Sequence, residues 1–218
     1  GPGRAAVRIA NAGSRRVVAD VRVAGFALDL RGRPRIVAGG GARRSASAWL
    51  QLRPRRLVLR PGAARAVAIV SRPPPGAEPG DHDALVLVTT RARVRDRIAV
   101  RMRLGVVVVV RVPGAIRRRL ELRGLRVVRG RRARALELLV ANRGNVTESF
   151  TGRRTAVFLE RAGRRIARLA AEPRTLRPGT MGVLQFRYRS ALAGPALARV
   201  EVVSEGGAAL RRTVRVRL

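Results

Sequence analysis

Residues 98–113 read I-A-V-R-M-R-L-G-V-V-V-V-V-R-V-P. The even positions, Ile98, Val100, Met102, Leu104, Val106, Val108, Val110 and Val112, are all apolar, while the odd ones run Ala99, Arg101, Arg103, Gly105, Val107, Val109 and Arg111. Alternation with period two, rich in β-branched residues, predicts a strand with one buried face. Over 106–110 both faces turn apolar, so that part is expected to be covered on both sides. Gly105 marks the change, as a bulge or a close approach of backbone. Val112-Pro113-Gly114 ends the stretch, and fresh alternating segments follow. It reads as the last strand of a first β-domain and the lead-in to a second.

Upstream, 4–10 sets Ala5, Val7 and Ile9 against Arg4, Ala6 and Arg8, then turns at Asn11-Ala12-Gly13-Ser14. Alternation resumes over 15–26, which predicts a hairpin. Arg31-Gly32-Arg33-Pro34 is a turn signal, and Gly39-Gly40-Gly41 belongs to a loop. Short strands are expected at 49–52, 56–60, 64–71 and 84–90, separated by Leu59-Arg60-Pro61-Gly62 and by a proline-rich stretch over 73–80.

Downstream the grammar repeats, with strands at 120–128, 136–140, 155–160, 164–169, 183–188, 199–203 and 209–218. Hairpins are expected at Arg161-Ala162-Gly163 and at 204–207. Ala10-Asn11-Ala12-Gly13 returns as Ala141-Asn142-Arg143-Gly144, and Leu59-Arg60-Pro61-Gly62 returns as Leu176-Arg177-Pro178-Gly179. Turn signals at roughly ten-residue spacing are those of a sandwich. The reading is all-β: two tandem immunoglobulin-like β-sandwich domains, 1–113 and 118–218, the first lacking its opening strand.

With 46% hydrophobic residues among 218, the chain can bury a core. That core is aliphatic, since the aromatics are Trp49, Tyr188 and four Phe. All 48 basic residues are Arg, and against 13 acids they leave a formal charge of +35. Exclusive Arg usage fits a GC-rich genome, yet the field is physical and draws polyanions. Cysteine is absent, which excludes disulfides, thiolate metal sites and a thiol nucleophile. No apolar run approaches the ~18 residues of a membrane span. The chain opens at Gly1-Pro2-Gly3 with no leader-like segment, so it is expected to begin inside a longer precursor.

Little here points to chemistry. The single His82 lies between Asp81 and Asp83, but neighbours on a strand face opposite ways, so a polar turn into 84–90 is the better reading than a metal cluster. Nothing nominates a nucleophile or orienting group, and the triple glycine lacks the ending of a phosphate loop. Asn145-Val146-Thr147 fits a glycosylation acceptor but coincides with a turn. No catalytic, metal or cofactor residues are assigned. With few aromatics and no recognition helix, no specific nucleic-acid partner is expected.

The run W-L-Q-L-R-P-R-R-L-V-L-R-P-G, followed by P-P-G-A-E-P-G-D-H-D-A-L-V-L-V-T-T, resembles the first domain of bacterial extracytoplasmic tandem-immunoglobulin proteins. The likeness is to cell-wall WxL-interacting proteins and, more distantly, to periplasmic pilus chaperones. V-A-N-R-G-N-V-T-E resembles the Asn-x-Gly-Asn domains of bacterial and archaeal surfaces. The resemblance implies a non-enzymatic binding, adhesion or structural protein of the cell envelope, secreted or extracytoplasmic, and the strongly cationic surface suits anionic wall polymers or lipids. Its partners would be other envelope proteins or an anionic wall polymer, with peripheral membrane contact. The chaperone likeness implies an alternative, an assembly factor offering residues 98–112 to partner subunits. In that pattern Arg111 stands where the last strand supplies one of two basic cleft residues, and the first strand that supplies the other has no counterpart. The candidate partner-binding residues are Arg101, Arg103, Val107, Val109 and Arg111.

Overall fold

Alternating apolar residues become two facing sheets in each half of the chain. The computed structural model describes residues 2–37, 44–91, 93–95, 98–129, 134–188 and 192–218. The expected loop at Gly39-Gly40-Gly41 lies outside them. Two compact units are formed, one from Gly1–Leu28 and Pro34–Gly114, the other from Asp29–Arg33 and Ala115–Leu218.

In the first unit the strands are β1 (Gly3–Ala10), β2 (Val17–Leu28), β3 (Pro34–Val37), β4 (Leu50–Arg53), β5 (Arg56–Leu59), β6 (Ala64–Ser71), β7 (Gly80–Thr90), β8 (Arg93–Arg95), β9 (Ile98–Val100) and β10 (Arg103–Val112). One sheet runs β1-β6-β4, the other β10-β7-β2-β3 with β5 also on β2, and β8 pairs with β9. All pairings are antiparallel. Between the two main sheets lie Val21, Leu52, Leu57, Val67, Ile69 and Val86, all nearly inaccessible. Phe26, Leu85, Leu87 and Ala24 form a smaller apolar cluster.

Two expectations need correction. Strands β1 and β2 do not form a hairpin, because they belong to different sheets. Asn11 accounts for this. Its Nδ2 donates to the carbonyls of Arg15, Leu59 and Arg60, tying the end of β1 to the turn after β5. Nor is 98–113 one strand. β9 pairs with β8 and β10 with β7, and between them the Thr90 hydroxyl accepts the Met102 N–H at 2.9 Å while the Thr90 N–H donates to the Met102 carbonyl. Gly105 makes a close approach and no bulge. The β10–β7 register is unbroken, and a Cβ at Gly105 would meet Leu85 Cδ1 at 3.0 Å.

The second unit contains β11 (Leu120–Arg129), β12 (Arg134–Asn142), β13 (Glu148–Phe150), β14 (Thr155–Arg161), β15 (Arg164–Ala170), β16 (Arg174–Leu176), β17 (Met181–Tyr188), β18 (Pro195–Val203) and β19 (Ala209–Arg217). Sheet β11-β12-β17 and sheet β15-β14-β18-β19 enclose Leu136, Leu138, Leu159, Phe186 and Val200, with β13-β16 beside them. The hairpins expected after β14 and β18 are present, the first turning through Ala162 and Gly163 at positive φ.

The repeated turns are one device used twice. Asn142 Nδ2 donates to the Leu176 carbonyl, as Asn11 does to that of Leu59. The amides of Gly179 and Gly62 donate to the backbone carbonyls of Asn142 and Asn11, both at 2.9 Å. Each side-chain carbonyl also accepts the amide two residues on, Gly144 or Gly13. Gly62 and Gly179 have φ of 70° and 71°, a conformation that penalises any Cβ. The fold is all-β and immunoglobulin-like, as the pattern of strands predicts.

Candidate functional site

The register of β10 on β7 sorts its side chains into two rows. Arg103, Val107, Val109 and Arg111 stand opposite Thr89, Leu85, Asp83 and Asp81. Leu104, Val106, Val108 and Val110 stand opposite Val88, Val86, Ala84 and His82. The second row faces the core, and its burial is graded. Val110 and Val112 are buried and Val108 is intermediate, whereas Leu104 and Val106 are 57% and 37% exposed.

Covering on both sides does not hold. Val107 and Val109 are 49% and 48% exposed. The reason is position: among the described residues β10 pairs with β7 alone and ends its sheet. An unpaired strand edge presents a row of free backbone donors and acceptors. Next to it lies a groove of about 310 Å³, walled by Gly3, Arg4 and Ala5 of β1 and by Val108–Arg111, with Leu50 and Ile69 beneath. β1 is itself a terminal strand of the other sheet. The groove therefore lies where two sheets end.

Of the candidate residues, Arg103, Val107, Val109 and Arg111 share one face. Arg101 lies just before the strand, and Arg101 and Arg103 are exposed. Arg111 also pairs within the sheet: its Nε and Nη2 donate to Asp81 Oδ1 and Oδ2 at 2.7 and 3.0 Å. This two-bond pair joins residues 30 apart in the chain, and only strand register could reveal it. The Asp81 side chain is 2% exposed against 54% for Arg111, so the pair matters mainly to the aspartate. Replacing Asp81 by Asn is expected to cost about 1–2 kcal/mol, since one charge-assisted bond is lost while Arg111 rehydrates. Urea melts of D81N against wild type measure it.

Residues 81–83 are not the polar turn that the sequence suggests. They open β7 and are buried. For Asp81 and His82 the burial is offset by side-chain partners. His82 Nε2 sits 2.8 Å from the Glu78 carbonyl, and its ring packs on Trp49 with centroids 4.5 Å apart. Asp83 exchanges backbone hydrogen bonds with Arg44 and Ala46. Among the described residues no group of three His, Cys, Asp or Glu could hold a metal. No helix among them is long and apolar enough to cross a membrane.

No family model matches this chain, and no curated protein does either. Solved structures do. The chain is similar to the class 5 fimbriae chaperone CfaA, at 11% identity and a TM-score of 0.51, over 99% of this chain and 93% of that one. A second similar structure is described as a chaperone–tip adhesin complex vital for synergistic activation of CFA/I fimbriae biogenesis, with the same identity, TM-score and coverage. The likeness to WxL-interacting proteins draws no support from these comparisons. At this identity what is shared is the fold: tandem immunoglobulin-like units of the kind found in fimbrial chaperones.

Proposed function

We propose that this protein is an extracytoplasmic assembly factor that lends strand β10 to the incomplete sheet of a partner subunit. The observation that carries the reading is the edge of β10, which among the described residues pairs with β7 alone, with apolar side chains exposed on both faces. A chain that adds an extended segment to a sheet edge gains main-chain hydrogen bonds, and alternate side-chain contacts set its specificity. Leu104 and Val106 supply such contacts on one face and Val107 and Val109 on the other. Arg101 just before the strand and Arg103 at its start favour an acidic partner surface. The role is one of binding, and it asks no covalent chemistry of the chain. Adhesion to anionic wall polymer rests on the charge alone and ranks second.

The test is co-expression in a bacterial periplasm with a fimbrial subunit whose sandwich lacks its last strand. A soluble one-to-one complex is expected with wild type. It should be lost in L104E/V106E, whose positions are exposed and whose folding is checked by thermal melting. Equal subunit solubility with and without this protein would overturn the reading.

A further inference from the structure

The outer face of sheet β11-β12-β17 carries two clusters of arginine around single carboxylates. Residues directly opposite on neighbouring strands point to one face. Glu121 lies opposite Ala141, Gly124 opposite Leu139 and Arg126 opposite Glu137, while Leu139 and Glu137 lie opposite Val183 and Gln185 of β17. This row is the face turned away from the core residues Leu136, Leu138 and Leu184.

Around Glu121 gather Arg119 at 3.6 Å, Arg143 at 3.4 Å and, in tighter contact, Arg123. Their side chains are between 46% and 74% exposed, so most of their N–H groups remain available to a ligand. Arg31 and Arg126 hold Glu137 at 2.8 and 2.6 Å, and Gln185 donates to it at 2.8 Å. Five guanidiniums thus face two carboxylates.

Glu137 is also part of the lining of an apolar pocket of about 230 Å³, otherwise walled by Leu30, Gly124, Leu125, Arg126, Leu139 and Val183. The β-bulge between Leu122 and Gly124 lies at this pocket, and a Cβ on Gly124 would meet nothing within 4 Å. On β12 the position facing Glu121 is four residues along the strand from Glu137, about 13 Å. An extended peptide covers the same distance between residues i and i+4, with residue i+2 aimed at the midpoint.

We propose that this face docks an extended acidic peptide segment of a partner protein. Its apolar side chain enters the pocket, and acidic residues two positions to either side meet the arginine clusters. The excess positive charge selects acids, and its division between both ends selects a strand over an amphiphile with one charged head. The site is distinct from the β10 edge and does not depend on the role proposed for it.

The test uses dye-labelled peptides of pattern Glu-x-Leu-x-Glu and Glu-x-Ser-x-Glu, read by anisotropy at about 0.15 M salt, where distant charges are screened. The leucine peptide should bind at least about tenfold more tightly, the effect of burying one such side chain. L30S should erase that advantage, and R123Q/R143Q should weaken both peptides about tenfold with an unchanged melt. L104E/V106E should leave binding untouched. Equal affinity for the two peptides would overturn the proposal, reducing the face to unspecific charge. So would binding of phosphatidylglycerol vesicles that L30S abolishes while neither peptide competes, since that assigns the pocket to a lipid.

Discussion

Asn142→Ala is expected to lower the stability of the second unit by about 3 kcal/mol. The side chain is wholly buried and makes three hydrogen bonds, donating to the carbonyls of Val146 and Leu176 and accepting from the Gly144 amide. Alanine satisfies none of them, and each buried group left without a partner costs about 1–3 kcal/mol before relaxation or water softens the loss. Asn11→Ala should cost less. Asn11 is slightly exposed, two of its bonds stretch to 3.2 Å, and water can reach the vacated groups. Urea melts that resolve two transitions would show the Asn142 variant moving one and the Asn11 variant moving the other. Equal and small shifts would mean that the backbone bonds of the turns suffice without the side chain.

Glu148→Ala should cost about as much, for an electrostatic reason. The carboxylate is inaccessible, with Oε1 accepting from Arg118 at 2.7 Å and Oε2 from the Glu205 amide at 2.9 Å. The Arg118 pKa is raised first by its hydrogen bond to Glu148, against the opposing effect of burial. Removing one partner of a buried pair typically costs about 3–5 kcal/mol. Arg118 keeps 24% exposure and its contact with Glu205, so about 3 kcal/mol is the expected value here. The double replacement E148L/R118L should recover part of the loss, because no buried charge is then stranded. Full additivity of the two single losses would show that the pair is uncoupled.

The sequence made the strands legible because a half-buried strand must alternate. It made the tandem organisation legible because both units reuse the Asn-x-Gly and Leu-Arg-Pro-Gly turns. What it hid was the third dimension. The run 106–110 is apolar on both faces, and periodicity names the two faces without saying where a sheet stops. Val107 and Val109 look like interior residues until β10 is seen, among the described residues, to end its sheet. The partnership of Arg111 with Asp81 and the gathering of Arg119, Arg123 and Arg143 on Glu121 depend on register and on a bulge. Among 48 arginines, no single one announces itself. The clustering around Glu121 had one faint signal, the short spacing of Arg119, Glu121 and Arg123 along one alternating segment.

The open edge of β10 also bears on how the protein behaves in concentrated solution. An unpaired apolar edge is ordinarily a seed for edge-to-edge aggregation. At +35, two copies of this chain repel at long range before their edges can meet. The arginine excess therefore works as a colloidal shield for that edge. Its strength follows the Debye length, about 30 Å at 0.01 M salt and 3 Å at 1 M. Salt thus acts on this molecule against habit: it removes the shield, and stock solutions keep best when ionic strength is low.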